Sequence, residues 1–536
     1  MNDSTQYNQE YDVAIIGGGI NGVSLARELS LRNLKVILIE KNDFGYGTSS
    51  LSSKLAHGGL RYLKQAHFKL VFEALRERHL LLNSAPHLVK PMPFLFPVYK
   101  GILSNFILKM GMLLYDMLSF QKTLPNHSFF TSKTLGKLST CLNQSKLNGV
   151  AKYYDAIMND AKLCIEIAQE SSLYGATLLS YSEVIKIHTN NSKISHLSCL
   201  DNISGKKFCI KAKYYASCTG PWTDKLLKLF NKKLPNYLNL SKGIHLVTKP
   251  IPIKESIVIS TNDNRIFFVI PWDNYSIIGT TDTLYHDNLD SINITKDEVL
   301  YLIKQVNYYV PNLNLTYHDI FFTFAGLRPL LVSNKKIGTS SREHSIIQNH
   351  NLFSIIGGKY TTFRSMTEEM AKKIISVARP NDTFIPMSKN LNSYGGYIKN
   401  INQYIQLNFK KDSDQFNIDK NLYSHIIHFY GSQYRNVLNV FSENNDYKSK
   451  LIGTDHYCGE VIYSIRYEFC KTITDFLRRR TQISFSKNNG IQCLNQVANL
   501  FQKELNWSLI RYQSEIKHYK QFISKSSIDH ILANSD

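Results

Sequence analysis

Several features are scarce in this sequence, and each scarcity excludes a class of protein. No run of about 18 apolar residues free of charge occurs, so no ordinary membrane-spanning helix is expected. The opening MNDSTQYNQE is polar and has no hydrophobic segment, which predicts no secretory signal peptide and a cytoplasmic location. The eight cysteines make no CxxC pair and no cluster with histidine. They read as buried free thiols, and neither a metal site nor a disulfide framework is expected. Iron–sulfur and haem motifs, internal repeats and long low-complexity segments are missing as well. Acidic residues are also in short supply: 42 Asp and Glu face 63 Lys and Arg, a net charge of +21. Nucleic acid, an anionic membrane surface or a lysine-rich composition could each account for that excess. The basic residues are dispersed and no nucleic-acid motif accompanies them, so no nucleic-acid partner is expected. At 536 residues the chain can hold two or three domains with cores of their own.

The best-defined stretch is residues 11–40, YDVAIIGGGINGVSLARELSLRNLKVILIE. An apolar β-branched run ends at three glycines, helically spaced Val23, Leu25, Ala26 and Leu29 follow, and a second apolar strand ends at Glu40. This is a strand–helix–strand unit. Gly17, Gly19 and Gly22 have GxGxxG spacing: the first allows a sharp turn, the second lets a pyrophosphate approach backbone N–H groups, and the third lets the helix pack on the strand. The helix N-terminus faces the phosphates. A carboxylate at Glu40 accepts both hydroxyls of an adenosine ribose and repels a 2′-phosphate, which points to FAD or NAD rather than NADP.

Residues 47–63, GTSSLSSKLAHGGLRYL, hold too many small hydroxyl residues and glycines for a regular element. Leu51, Leu55, Leu60, Tyr62 and Leu63 anchor a loop whose backbone and hydroxyls face a ligand. With the glycine turn before it, this segment resembles the FAD-dependent glycerol-3-phosphate dehydrogenases, in which TSSxxSSKLxHGGLRYL follows GGGINGxG. The resemblance runs in order to about Phe363 and more loosely beyond.

It implies an α/β architecture: an FAD-binding, Rossmann-like domain of the two-dinucleotide-domain flavoprotein type (1–90, 150–240 and 320–388), inserted antiparallel-sheet substrate-binding or membrane-facing segments (91–149 and 241–319), and a C-terminal helical domain (389–536). The implied reaction is oxidation of sn-glycerol 3-phosphate to dihydroxyacetone phosphate with FAD taking the hydride. The cofactor contacts fall to Gly17, Gly19, Asn21, Gly22, Glu40, Thr48, Ser49, Ser53, Lys54, His57, Gly220, Gly358, Lys359 and Thr361. A phosphate dianion calls for arginine, whose guanidinium presents two parallel N–H groups, and Arg61 and Arg328 match the family's substrate arginines. His57 matches its active-site histidine and can serve as base; it can equally touch the flavin. Lys359 can stabilise negative charge at the flavin ring. The catalytic set is therefore His57, Arg328 and Lys359.

Along the rest of the chain, residues 67–85 predict an amphipathic helix with Arg76, Glu77 and Arg78 on its wet face. Residues 86–97 are proline-broken. Residues 102–118 predict a second amphipathic helix that packs on the protein or lies on a membrane. A hairpin turn at Asp273 and Asn274 joins two strands of a β-rich block. Residues 324–330, FAGLRPL, and 355–363, IIGGKYTTF, each end an apolar run with glycine and a cation. Residues 460–481 carry Ile462, Ile465, Phe469, Ile473 and Phe476 on one face and finish in Arg478, Arg479 and Arg480, which can complement a helix C-terminus. The expected acceptor is membrane quinone, reached by peripheral attachment to the cytoplasmic leaflet, with a homodimer possible. Competing readings are a glycerol-3-phosphate oxidase using oxygen, an amine or amino-acid oxidase on the same fold, and an RNA-associated flavoprotein.

Overall fold

The structure is a computed structural model that describes residues 10–533 apart from 66, 100–101, 120–123, 132–140, 262, 264 and 333–342. Its organising layer is a sheet in which Leu352–Gly357, Lys207–Ser217, Glu10–Ile16, Val36–Ile39 and Thr177–Leu179 lie side by side and parallel, with His344–Asn349 antiparallel at one edge. Alternation sends the strand residues to two separate cores. Val13 and Ile15 pack under the helices Ile20–Ser30, Asp160–Leu173 and Phe363–Ala378. Ala14, Ile16, Ile37 and Ile39 pack on the hairpin Ser182–Asn190/Lys193–Asp201 and the helix Thr223–Phe230. Burial on both faces explains why these strands read as unbroken apolar runs.

A second, largely antiparallel sheet has ten strands among the described residues. Its long pair is Leu238–Thr248 against Ile320–Leu331, in register from Leu238 opposite Leu331 to Thr248 opposite Ile320. One face packs on the helix Lys296–Tyr309 and the other on Phe68–Ser84 and Ile102–Leu118. The expected break over residues 86–97 is instead a strand, Val89–Val98, paired along its length with Gly149–Met158. Pro91, Pro93 and Pro97 all occupy odd positions, so the donors they lack point to one edge while the alternate residues keep their N–H groups for the ladder. Asp155 lies in Gly149–Met158.

Beyond residue 400 the chain is helical, with two cores of its own. The stretch over residues 460–481 is not one helix: Cys458–Tyr467 stops, Phe469 takes a left-handed φ of 58°, and a π-turn spans Phe476–Arg480. The three arginines are buried and do not decorate a helix end. Arg479 and Arg480 grip Asp43 at 2.5 and 2.6 Å, 436 and 437 residues away. Burial would raise the Asp43 carboxyl, but these two guanidiniums hold it below its ordinary range. Removing one partner of such a buried pair costs about 3–5 kcal/mol, so the clamp ties the C-terminal helices to the turn that follows Glu40. All eight cysteines are free; Cys209 is exposed and Cys141 half-buried, the other six buried.

Candidate active site

A long cleft runs across the carboxyl ends of the parallel strands, where ligands of open α/β sheets bind. Its lining passes from Glu40, Asn42, Ser182 and Val184, past Gly17, Gly19, Ile20 and Asn21, to Thr219, Gly220, Gly357, Gly358 and Lys359. At one end Glu40 accepts backbone N–H groups from Gly18 (2.6 Å) and Asn42 (2.8 Å). Burial nevertheless pushes its carboxyl above the ordinary range. Gly22 is the close-approach glycine: a Cβ there would sit 1.8 Å from the Gly17 carbonyl oxygen. In the middle, the Asn21 Oδ1 is buried with no partner among the described residues, a polar atom that a ligand in the cleft can satisfy. Ser49 Oγ accepts the Ile20 N–H at 2.9 Å, and Thr48 Oγ1 donates to the Leu327 carbonyl at 2.8 Å. Cleft shape, carboxylate, helix N-terminus and the orphaned amide oxygen together fit FAD.

Behind the Lys359 end lies a second cavity of about 480 Å³. The two share a wall: Arg328 lines the cavity and the next residue, Pro329, lines the cleft. Across from them, a Cβ on Gly59 of the cavity would lie 3.5 Å from the Lys359 Nζ, which sits 4.0 Å from the centre of the Tyr62 ring. The cavity's polar groups are Ser53, His57, Asp155, Thr280 and Arg328; the remaining lining is aromatic and aliphatic. Arg328 donates to Ser241 Oγ (3.2 Å) and Thr280 Oγ1 (2.8 Å), with Asp282 at 3.7 Å. This needs Gly243 opposite, since a Cβ there would meet the guanidinium at 2.2 Å.

The His57–Gly59 loop is held from two sides. The His57 N–H donates to Thr361 Oγ1 at 3.3 Å, joining the loop to the turn after Lys359. From behind, the Gly58 N–H reaches Asp155 (3.2 Å) and the Tyr115 hydroxyl (3.1 Å), and Asp155 also accepts from Arg78 at 2.5 Å. Burial pushes the Asp155 carboxyl up despite that partner. Arg78 and Glu77, expected on the wet face of their helix, are therefore buried; Glu77 takes Arg364 at 2.6 Å.

Of the candidate cofactor residues, Gly22, Ser53, Lys54, His57 and Thr361 do not line the cleft. Lys54 is fully buried in an ion pair with Asp160 and does not line the cleft; burial, with Arg478 nearby, lowers its ammonium to about 8. Ser53 faces the second cavity and bonds His245 Nε2 at 2.8 Å. The Thr361 hydroxyl oxygen accepts the His57 N–H, and Gly22 packs against the Gly17 carbonyl. The side chain of Arg61 lies outside the described residues. His245 was not among the candidates. It is buried, stacked 4.7 Å from Phe324, and kept neutral because burial and the neighbouring Arg328 and Lys54 hold its imidazolium form well below the usual range. Its signal was the polar residue inside the apolar strand KGIHLV, one strand over from FAGLR.

Fold and site define an FAD-dependent oxidoreductase. The "FAD dependent oxidoreductase" family model matches residues 12–363, and that for the "C-terminal domain of alpha-glycerophosphate oxidase" matches 388–511. A glycerol-3-phosphate dehydrogenase of Synechocystis is 33% identical, covering 97% of this chain and 98% of its own. The aerobic glycerol-3-phosphate dehydrogenase of Bacillus subtilis is 32% identical over 92% of this chain and 91% of its own. The structure of the Bacillus halodurans glycerol-3-phosphate dehydrogenase complexed with FAD superposes with a TM-score of 0.81 at 25% identity, covering 97% and 96% of the two chains. The chain belongs to the FAD-dependent glycerol-3-phosphate dehydrogenase family.

Proposed function

We propose that this protein oxidises sn-glycerol 3-phosphate at its secondary alcohol to dihydroxyacetone phosphate and passes the electrons to a membrane quinone. The observation that carries the reaction is the shared wall: a cavity with a hydroxyl-supported arginine and a histidine abuts the cleft end that holds Lys359. Bound along the cleft, FAD would supply the acceptor for the hydride leaving the substrate carbon. Gly17, Gly19, Asn21, Glu40, Thr48, Ser49, Gly220 and Gly358 would hold it.

Arg328 would bind the phosphate through its N–H fork; Asp282 at 3.7 Å leaves room for a stronger anion to take over. His57 would accept the hydroxyl proton on a ring nitrogen, with its backbone fixed by Thr361. Lys359 adds positive charge where negative charge develops. The aromatic and aliphatic lining of the cavity would lower the dielectric around a bound substrate and strengthen each of these interactions.

The acceptor is read from the helix Ile102–Leu118. Leu108, Met112 and Tyr115 are buried in the core beneath it, whereas Met110, Leu113 and Met117, which line the second cavity, are 51%, 48% and 68% exposed, as are Phe68 of the same lining and Phe72 at 46% and 45%. No helix among the described residues is long and apolar enough to cross a membrane. Exposed apolar side chains around that cavity, on a protein of net charge +21, suit contact with the headgroup boundary of an anionic leaflet, so we place the protein peripherally on the cytoplasmic leaflet, with 91–149 as part of the membrane-facing insertion. Fractionating cells and following glycerol-3-phosphate:quinone activity tests this. Activity that stays soluble without detergent, with stoichiometric hydrogen peroxide, would replace quinone by oxygen; flavin reduction by sarcosine or proline but not by glycerol 3-phosphate would replace the substrate.

A further inference from the structure

Away from both cavities, the C-terminal helices bring together two residues four apart in sequence, His456 and Glu460, and a third, His425, from another helix. His425 comes from the helix Lys420–Tyr430, His456 from the turn before Cys458–Tyr467, and Glu460 from that helix's first turn. His425 Nε2 lies 3.0 Å from one Glu460 oxygen and His456 Nδ1 lies 3.0 Å from the other. One donor atom from each residue falls within 4.8 Å of the other two. The Glu460 side chain is fully buried, and the His425 and His456 side chains are 19% and 12% exposed.

We infer that His425, His456 and Glu460 bind a divalent transition-metal ion of the Zn²⁺ class. Two imidazoles and a carboxylate suit Zn²⁺ and its neighbours, whereas Mg²⁺ and Ca²⁺ prefer all-oxygen ligands. With metal–ligand distances of about 2.0–2.1 Å, tetrahedral donors stand roughly 3.4 Å apart. The two 3.0 Å contacts, one to each Glu460 oxygen, would open by a few tenths of an ångström, and a donor pair standing at the 4.8 Å limit would close by about 1.4 Å. On metal binding each imidazole would turn a lone pair to the ion on the nitrogen that now faces the carboxylate and carry its proton on the other ring nitrogen.

Supporting contacts already orient the ligands. Glu460 accepts the Tyr457 N–H at 2.7 Å and the Tyr430 hydroxyl at 3.1 Å, and Phe429 lies parallel to the His425 ring at 5.9 Å. Such outer partners fix ligand geometry at metal sites. The site would clamp two helices behind the Tyr430 ring, over which the Lys162 ammonium sits at 4.1 Å while pairing with Glu468. Its role is thus structural, at the seam between the C-terminal helices and the helix Asp160–Leu173.

The test uses the FAD-loaded full-length protein after chelation and dialysis. Titrated Co²⁺ should give ligand-field absorption to the red of the flavin bands that saturates at one equivalent, and Zn²⁺ should abolish it and raise the melting temperature. His456→Gln and His425→Gln should each weaken Zn²⁺ by more than the roughly 10–100-fold that loss of an outer partner costs, with flavin content unchanged. Glu460→Gln removes a helix cap as well as a ligand and is not the variant to read. Absence of cobalt bands and of a zinc-dependent melting shift in the wild type, or the same shift in the double histidine variant, would overturn the site and leave a hydrogen-bonded carboxylate clamp only.

Discussion

The glycine turn of the cleft and the second cavity are built in opposite ways. The turn is made by one local segment, residues 10–42, and most of what it offers a ligand is backbone: glycine surfaces, the helix N-terminus and N–H groups, with Glu40 as the principal charged side chain. The cavity is made by side chains gathered from separate segments around residues 53–62, 94–117, 153–155, 280 and 328. A site built of backbone fails as a unit, through geometry. One built of side chains fails residue by residue, each loss changing a different kinetic constant.

The largest effect should come from forcing the turn. In Gly22→Ala the new Cβ would meet the Gly17 carbonyl, a backbone atom that cannot swing away. The expected outcome is protein that purifies without flavin, or does not accumulate, and a cost above about 4 kcal/mol, among the exceptional values for one substitution. Near-normal FAD content in that variant would break the contrast at its strongest point.

Next in size is the base. His57→Ala should slow flavin reduction at saturating substrate by roughly 10²–10⁴, with the bound-flavin spectrum unchanged. His245→Asn sharpens the test. Its neutral imidazole, one hydrogen bond behind Ser53, is the other base candidate the fold brings near the cavity. If His245→Asn abolishes reduction and His57→Ala leaves it intact, the proton goes to His245. Arg328→Ala should be smaller: loss of a charge-assisted hydrogen bond worth about 1.5–3 kcal/mol raises KM for glycerol 3-phosphate by roughly 10–100-fold with kcat less affected. Loss of flavin in that variant would move the guanidinium from substrate to cofactor.

The same division decides what could be read from residues alone. The strand–turn–helix–strand unit was legible because its two unbroken apolar runs, the helical spacing between them and its glycine spacing are local. The substrate side was legible only where a cation stood beside glycine at the end of an apolar run, as Arg328 and Lys359 do. His245 was hidden because a histidine within a strand carries no local sign of the Ser53 and Arg328 brought beside it by strand pairing. Arg479 and Arg480 misled for a related reason: their run fits a helix end, and nothing nearby announces Asp43, 436 residues upstream of Arg479. The prolines of Val89–Val98 read as a break because proline is scored against an average strand, while alternate placement lets one edge tolerate all three.

The smallest predicted effect concerns Lys54, which the sequence places among cofactor ligands and the fold buries against Asp160. Its ammonium is lowered to about 8 by burial, below the value of about 10.4 it has in an unfolded chain. Between those two values the unfolded chain binds a proton that the folded protein does not, so the Lys54 contribution to stability rises with pH, by at most about 1.4 kcal/mol per unit. Read in the other direction, it is fully present only above the unfolded value and is lost as pH falls toward 8. Tyrosines titrate in the same range, so the quantity to measure is the difference in denaturant-unfolding free energy between the wild type and Lys54→Met, followed upward from pH 8. The difference should shift steadily in favour of the wild type as pH rises, and FAD content should match at each pH, because Lys54 holds the loop from beneath and does not touch the cleft. A flat difference would mean that Asp160 keeps Lys54 charged throughout. A flavin loss in Lys54→Met without a loss of stability would return the lysine to the cofactor and erase one boundary between the two halves of the site.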